Sequence, residues 1–377
     1  MDFSLGEEQL MLKASAREFL EKECTKKHVR EMMDDEKGYS PELWRRMADL
    51  GWQGLAFPEE YGGVGSSFLD LAVLLEEMGR ALVPGPFLAT VTQAGKAVLI
   101  AGSESQKQAI LPGVCSGETI MTLAWLEPGD NLEADGVTVS AARKGDNYVV
   151  NGTKLFVPDA QVADRMVVVV RTGKGAGEDG ISLLLVDPAA AGVEVNLLKT
   201  MSGEKLCEVV FKDVSVPASD LLGEDGRGWP VLQEVIEGAT VAECAWMAGG
   251  ARWILETATQ YAKERVQFGV PIGSFQAIQH KLADMCVEVE GATAIVYFAA
   301  WAQAERDDSR EIAASVAKAW CGDIYKRAAY QGIQIHGGIG FTWDHDMHLY
   351  FKRAKSAEVV FGDSDYHREK VAQLLDV

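Results

Sequence analysis

The sequence predicts an α+β protein with a helical N-terminal domain, a β-structured middle domain and a helical C-terminal domain. Apolar residues recur at helical spacing in the first third of the chain. They recur with a period of two between Thr119 and about Val216, and helical spacing returns from Trp229 onward. The expected domain boundaries are 1–118, 119–229 and 230–377.

Composition places the chain among ordinary globular proteins. Of 377 residues, 47% are hydrophobic and 24% are charged, which argues against disorder and against a disulfide-stapled small domain. The formal net charge of −20 repels phosphate backbones, so nucleic-acid binding is disfavoured. Small anionic ligands stay compatible with this charge, because a few local basic residues reverse its sign within one cleft.

The N-terminus and the cysteines predict a cytoplasmic protein. Asp2, Glu7 and Glu8 stand where a secretion signal needs positive charge, and Met166–Val170, the purest apolar run, is too short to span a bilayer. The cysteines are too widely spaced to indicate a metal knuckle or a disulfide framework.

Helix signals in the N-terminal domain are explicit. Ser40 followed by Pro41 predicts a helix that ends near Gly51. The glycine-rich segment 58–65, PEEYGGVG, predicts a loop, and helices are expected to resume at about Phe68.

Strands are predicted in the middle domain wherever β-branched residues cluster between Gly, Asn and Asp. Gly175–Gly180 matches the dinucleotide pattern GxGxxG, but another β-branched run follows it where a phosphate loop needs a helix. We therefore interpret this segment as a hairpin. The expected strands are 137–140, 148–150, 166–170, 181–186 and 209–211.

Two segments of the C-terminal domain indicate ligand contact. The end of a helix accounts for Arg265 and Gly269 in the segment 265–269. It does not account for the presence of Phe268 or of Gln276. The glycines that follow Gln334 exceed what a helix cap needs and allow close backbone approach to another molecule. The expected helices are 230–265, 274–305, 311–336 and 365–375.

Metal and nucleophilic chemistry lack sequence support. His345 and His348 stand near aspartates, but single-turn clusters of this kind are commonly solvated surface, and we predict no metal. The sequence contains no GxSxG elbow and pairs no cysteine with a histidine signature, which disfavours hydrolysis through a covalent intermediate.

Six segments in order along the chain form a recognisable set. They are PEEYGG at 58–63, GSESQKQAILPGVCSGE at 102–118, Glu127-Pro128-Gly129, FKDVSVPASDLLGEDGRGW at 211–229, RVQFGVPIGSFQAIQ at 265–279 and QIHGGIGF at 334–341. On these segments the chain resembles the acyl-CoA dehydrogenase family along essentially its whole length. The resemblance implies a helical N-terminal domain, a middle β-barrel and a C-terminal four-helix bundle.

The resemblance implies an FAD enzyme that oxidises an acyl-CoA thioester to the enoyl-CoA and passes electrons to an electron-transfer flavoprotein. A carboxylate base takes the α-proton, and donors stabilise the thioester oxygen. The resemblance of segments 265–279 and 334–341 also implies contacts with the FAD of a neighbouring subunit. It therefore implies a homotetramer or a heterotetramer with a related subunit. The implied FAD-binding positions in the C-terminal domain are Arg265, Phe268, Gln276, Gln334, Gly337 and Gly338.

The sequence departs from the family at both usual positions of the base. Phe361, before Gly362, stands where the family most often has Glu, and Ala239 stands at the second position. Glu243 lies one helical turn after Ala239, so it is the candidate base, with a structural buried carboxylate as an equally weighted alternative. Glu237 and Glu234 are weaker candidates.

The flavin-facing positions of the middle domain depart as well. Trp125 and Phe156 occupy implied flavin positions, but Leu126 and Pro158 replace hydroxyl residues. We favour a dehydrogenase with a displaced base, acting on a branched, cyclic or otherwise unusual acyl-CoA. The alternatives are a degenerate subunit of a heteromeric dehydrogenase and a family member with non-oxidative acyl-CoA chemistry.

Overall fold

The computed structural model describes residues 5–129, 131–175 and 177–377, which divide into two compact units. The helical unit comprises the chain up to Val29, Ser67–Val83 and Thr240–Val377. The sheet unit comprises Arg30–Ser66 and Pro84–Ala239. This division does not test the three predicted domain boundaries, which stay predictions.

The described residues alternate between helical and β-structured stretches in the predicted order, α, then β, then α. The helices are α1 (Glu7–Glu23), α2 (Lys26–Asp34), α3 (Pro41–Asp49), α4 (Phe68–Ala81), α5 (Gly95–Ala101), α6 (Glu104–Cys115), α7 (Trp229–Glu264), α8 (Gln276–Ala304), α9 (Arg310–His336), α10 (Met347–Val359) and α11 (Ser364–Leu374). The strands are β1 (Met121–Ala124), β2 (Ser140–Lys144), β3 (Asn147–Pro158), β4 (Arg165–Arg171), β5 (Ile181–Val186), β6 (Val193–Leu198), β7 (Leu206–Pro217), β8 (Leu221–Leu222), β9 (Val266–Gln267) and β10 (Val270–Pro271).

In the helical unit, α9 packs against α8, α10 and α11, and α4 packs against α1 and α8. Two glycines let α4 and α7 touch backbone to backbone. A Cβ on Gly79 would lie 2.0 Å from the carbonyl oxygen of Trp246, and one on Gly249 would lie 1.8 Å from that of Glu76. Any larger residue at these two positions would separate the helices.

The predicted helix signals at 40–68 are confirmed. The Ser40 hydroxyl accepts a hydrogen bond from Leu43 N at 3.2 Å and caps α3, with Pro41 as the first helical residue. Segment 58–65 is a loop around one short 3₁₀ turn, and α4 begins at Phe68.

The sheet unit contains one eight-stranded sheet in the order β6-β7-β3-β2-β4-β5-β8, with β1 parallel to β4. Residues 166–170 of β4 are all buried, as their unbroken apolar run predicts for a central strand. β4 and β5 are antiparallel neighbours. The GxGxxG segment, apart from Ala176, which lies outside the described residues, therefore joins a hairpin, as predicted.

The structure corrects two local predictions. The predicted strand at 137–140 begins only at Ser140, because the N–H groups of Thr138 and Val139 donate to the Glu127 carboxylate instead of a neighbouring strand. Helix α10 (Met347–Val359) was not predicted. Lysine and arginine side chains interrupt its apolar pattern, although residues on one side of it are buried.

The four helices predicted in the C-terminal domain are present as α7, α8, α9 and α11. Judged by length and composition alone, α8 is the one helix in the described part of the chain that is long and apolar enough to cross a membrane. Half of its most apolar window is buried inside the protein. Core helices of soluble proteins share these properties, so this is weak evidence for a membrane span.

Candidate functional site

The six predicted FAD positions of the helical unit are all exposed. Phe268 is 91% exposed at the turn between β9 and β10, where Phe275 contacts its ring edge to face, with ring centroids 6.1 Å apart. The side chains of Arg265, Gln276 and Gln334 have no hydrogen bond or ion pair with any described residue. These groups are therefore available to a molecule outside the unit.

Contacts between helix ends bring these positions together. Tyr261, one turn before Arg265, stacks on His336 with ring centroids 4.3 Å apart, which joins the ends of α7 and α9. Lys281 Nζ donates to Gln331 Oε1 at 2.9 Å, which joins the start of α8 to the end of α9. Gln276 and Gln334 lie one turn beyond that contact.

Gly337 and Gly338 leave open space at the end of α9. A Cβ built on either residue would meet nothing within 4 Å, and Gly337 has a φ of +64°. Backbone without side chains lets a ligand approach closely. Arg265 is exposed, and a guanidinium is a group that binds phosphate through paired hydrogen bonds.

In the sheet unit, a buried ion pair holds the predicted flavin positions. Lys154, 0% exposed on β3, donates from Nζ to the carbonyl oxygen of Trp125 at 2.8 Å and to Glu127 Oε1 at 2.6 Å. Glu127 also accepts from Thr138 N at 2.9 Å and Val139 N at 3.0 Å. Lys154 thus ties the segment after β1 to the strand that carries Phe156.

The pKa values of this pair move in the directions expected for buried groups. Burial lowers the pKa of Lys154 to about 8, against the attraction of Glu127. Burial acts to raise the pKa of Glu127, but the Lys154 charge and the hydrogen bonds from Lys154, Thr138 and Val139 outweigh it and lower that pKa overall. Glu127 is therefore a carboxylate at neutral pH.

Trp125 and Phe156 differ in exposure. Trp125 is 8% exposed, whereas Phe156 is 52% exposed and lies where the pairing of β3 with β7 shifts register. Leu126 and Pro158 offer no side-chain donor, and Pro158 has no N–H. The sheet unit therefore offers apolar contact to a flavin ring but not the hydrogen bonds implied at positions 126 and 158.

Glu243 lies in a stretch of α7 that is buried on every side. Residues 238–250 are all buried, and Glu243, 8% exposed, is the only charged side chain among them. Ala239 lies one turn earlier, about 6 Å along the helix axis. Glu237 is half-buried. The structure thus gives the candidate base the dry surroundings that proton abstraction needs.

A second buried cation lies in the helical unit. Lys318 on α9 is 0% exposed and donates to the carbonyl oxygens of Glu358 at 2.9 Å and Gly362 at 2.7 Å. Burial lowers its pKa, while the charge of Glu243 is among those that act to raise it. Attraction to Glu243 thus acts to keep Lys318 in its charged form.

Three phenylalanines at predicted functional positions have left-handed backbones. The φ angles are +54° at Phe156, +52° at Phe268 and +59° at Phe361. Such angles are uncommon for any residue with a side chain and are strained for bulky ones. No other aromatic residue in the described chain has a positive φ.

Sequence reasoning missed the buried residues that support these positions. Lys318 is the one charged residue of the mainly apolar segment 312–321, and such an isolated charge is the signal that could have identified it. Lys154 follows Asn151 and Thr153 and gives no such signal. His367, 5% exposed on α11, gives no comparable signal.

Comparison with known proteins identifies the family. The family models for the acyl-CoA dehydrogenase N-terminal, middle and C-terminal domains match residues 6–118, 122–214 and 226–375, respectively. A probable acyl-CoA dehydrogenase of Bacillus subtilis is 34% identical over 383 residues, with 100% of both chains covered.

Two solved structures are similar over the whole chain. Butyryl-CoA dehydrogenase from Megasphaera elsdenii has a TM-score of 0.92 at 29% identity, with 100% of both chains covered. A chain of the ChsE4-ChsE5 complex from Mycobacterium tuberculosis has a TM-score of 0.91 at 30% identity, with 100% of this chain and 99% of that chain covered.

Proposed function

Because the chain belongs to the acyl-CoA dehydrogenase family, whose cofactor is FAD, we propose that it acts in the α,β-oxidation of an acyl-CoA thioester with Glu243 as the base. One observation carries this proposal. Glu243 is the single charged side chain in the buried stretch 238–250 of α7, one turn from the second family position of the base.

In this reaction the substrate loses two hydrogens. The Glu243 carboxylate takes the α-proton and becomes a carboxylic acid, while the β-hydrogen leaves as hydride. The acceptor of that hydride is the chemistry that bound FAD would supply. Arg265, Gln276, Gln334 and the backbone at Gly337 would hold the cofactor of a neighbouring subunit. Trp125 and Phe156 would contact the flavin ring.

The test is the rate at which substrate bleaches the flavin without oxygen. Glu243→Gln keeps the size of the side chain but removes the base, so we expect a loss of about 10³-fold. Glu237→Gln, a half-buried residue of the same helix, is the matched control and should change the rate less than threefold. A bleaching rate unchanged in Glu243→Gln would remove this residue from the mechanism.

A second candidate is a partner subunit that lends its helical unit to FAD on a different chain. Leu126 and Pro158 favour it, since neither side chain provides a donor to a flavin. The similarity to a chain of the ChsE4-ChsE5 complex is consistent with it. Expression of the chain alone, followed by a flavin spectrum, separates the candidates. A yellow protein that substrate bleaches supports the first, and a colourless protein that gains FAD only with a related subunit supports the second.

Both candidates share further expectations. The exposed motif of the helical unit needs a neighbouring subunit, so we expect a homotetramer or a heterotetramer, which light scattering measures. Electron-transfer flavoprotein is the expected acceptor of the electrons. A cytoplasmic location and a branched, cyclic or unusual acyl group stay predictions.

A further inference from the structure

Phe361 has a backbone conformation that its own side chain opposes. Its φ is +59°, and that of the next residue, Gly362, is +100°. A β-carbon at such an angle crowds the backbone, and this conformation persists only where the surroundings enforce it. The groups that enforce it at Phe361 are identifiable.

Two buried basic side chains take up three carbonyl groups of residues 358–362. Lys318 Nζ donates to the carbonyl oxygens of Glu358 and Gly362 at 2.9 and 2.7 Å. His367 Nε2 lies 3.0 Å from the carbonyl oxygen of Phe361. We call Lys318 and His367 the carbonyl clamp. It fixes the carbonyl group of Phe361 itself and one carbonyl group on each side of it in the chain, from α9 and α11.

The protonation state of His367 determines the direction of its hydrogen bond with Phe361. Burial and the charge of Lys318 lower the pKa of His367 to about 4, so the ring is neutral at physiological pH. A carbonyl oxygen only accepts hydrogen bonds, so Nε2 carries the proton and donates it to Phe361.

The residues after Phe361 are anchored as well. A Cβ on Gly362 would lie 2.3 Å from Tyr366 Cδ1, so this position requires glycine. The Asp363 carboxylate accepts from Asp365 N and Tyr366 N and caps α11. Ser364 Oγ donates to the carbonyl oxygen of Ala319 on α9 at 3.1 Å. The segment is therefore held on two helices while the Phe361 side chain stays half-exposed.

We propose that Lys318 and His367 are positioning residues that hold Phe361 in place, and that Phe361 determines which acyl groups the protein accepts. The second part rests on the proposed function, because the resemblance places residue 361 where other members carry a base against the substrate. A phenyl ring at that position removes no proton. The ring supplies apolar contact and takes up space that an acyl group would otherwise fill. The strained backbone of Phe361 determines where the ring lies.

Hydrogen exchange measured by mass spectrometry tests the clamp without any ligand. Lys318→Met removes the ammonium group that donates to the carbonyl oxygens of Glu358 and Gly362. We expect the backbone amides of residues 358–364 to exchange at least tenfold faster in this variant. Lys326→Met is the matched control. It lies on the same helix and pairs with the Glu358 carboxylate instead of the carbonyl, so exchange in this segment should stay within twofold.

Equal exchange in the two lysine variants would overturn the clamp. Should Lys318→Met not fold, His367→Phe removes the donor to Phe361 and must speed exchange in the same segment. Unchanged exchange in His367→Phe would overturn the clamp equally.

Two substitutions at residue 361 test strain and selectivity. Phe361→Gly should raise the midpoint of thermal unfolding above that of Phe361→Ala, because glycine adopts the left-handed conformation freely. Midpoints that are equal in the two variants would contradict the strain. In both, the affinity for branched or cyclic acyl-CoA relative to linear acyl-CoA of equal carbon number should change at least fivefold.

An unchanged binding ratio would overturn the role of Phe361 in selectivity and leave the proposed function standing. A wild-type protein that binds no acyl-CoA, with FAD and any related subunit supplied, would overturn both. Hydrogen exchange decides the clamp in either case.

Discussion

The two units each contain one fully buried lysine, and the two are stabilised differently. In the sheet unit, Lys154 contacts a carboxylate, Glu127, at 2.6 Å and a single carbonyl. In the helical unit, Lys318 donates to two carbonyl groups, and its hydrogen bonds include no carboxylate. These are the only fully buried lysines of the described residues.

The difference shows that a buried cation serves two purposes. Lys154 belongs to a neutral pair, and each member makes the other tolerable in a dry interior. Lys318 instead exchanges solvation for backbone dipoles, so its main effect is on the shape of the segment it holds. Removing a partner should therefore destabilise the sheet unit more than the helical unit.

The largest effect is expected for Glu127→Gln. This change leaves the Lys154 ammonium buried without an opposite charge, and we expect it to lower the free energy of unfolding by about 4 kcal/mol in urea. The control is Glu194→Gln, whose exposed pair with Lys212 should contribute less than about 1 kcal/mol. Equal losses in the two variants would contradict the distinction between the buried lysines.

Lys318→Met should lower the free energy of unfolding by about 3 kcal/mol, because two carbonyl groups lose their donor in a dry site. The hydrogen-bond partners that Lys318→Met leaves unpaired are neutral carbonyl groups. The loss should therefore be smaller than that of Glu127→Gln, which leaves a buried charge unpaired. Denaturation of both variants under one condition checks the order. A larger loss in Lys318→Met would reverse the comparison.

The pH dependence of stability sharpens the comparison for the carbonyl clamp. The pKa of His367 is about 4 in the folded protein, below the usual 6.5, so the unfolded chain binds a proton that the folded chain excludes between these values. This contribution is present above pH 6.5 and is lost as the pH falls toward 4, by about 3 kcal/mol.

Replacing His367 with Phe should remove that slope, which urea denaturation at a series of pH values measures. Replacement of His280, which is exposed, is the control and should leave the slope in place. A slope unchanged in His367→Phe would assign the acid sensitivity to other groups.

Much of the fold was predictable because its signals are local. Ser40 and Pro41 start α3, and the unbroken apolar run at 166–170 predicts a central strand. The strand predicted at 137–140 was wrong in its first three residues, since Glu127, more than ten positions away, takes the N–H groups of Thr138 and Val139. A residue's local pattern contains no information on a competing acceptor elsewhere in the chain.

The candidate site was predictable in part. Arg265, Phe268, Gln276 and Gln334 belong to motifs that a helix cap does not explain, and the structure leaves their side chains exposed. Whether Glu243 acts as a base stays a proposal. Burial around Glu243 depends on helices from distant parts of the chain, so its spacing from Ala239 predicts only that the two share a helix face.

The sequence by itself determined the order of helical and β-structured parts, the starts of helices such as α3 and α4, and the family, because periodicity and motifs are properties of neighbouring residues. Only the tertiary structure decided how the buried charges are satisfied. Lys154 reaches Glu127 across 27 positions and Lys318 reaches Gly362 across 44. A cation enters a dry interior only where packing assembles its acceptors, and that assembly exists only in the folded chain.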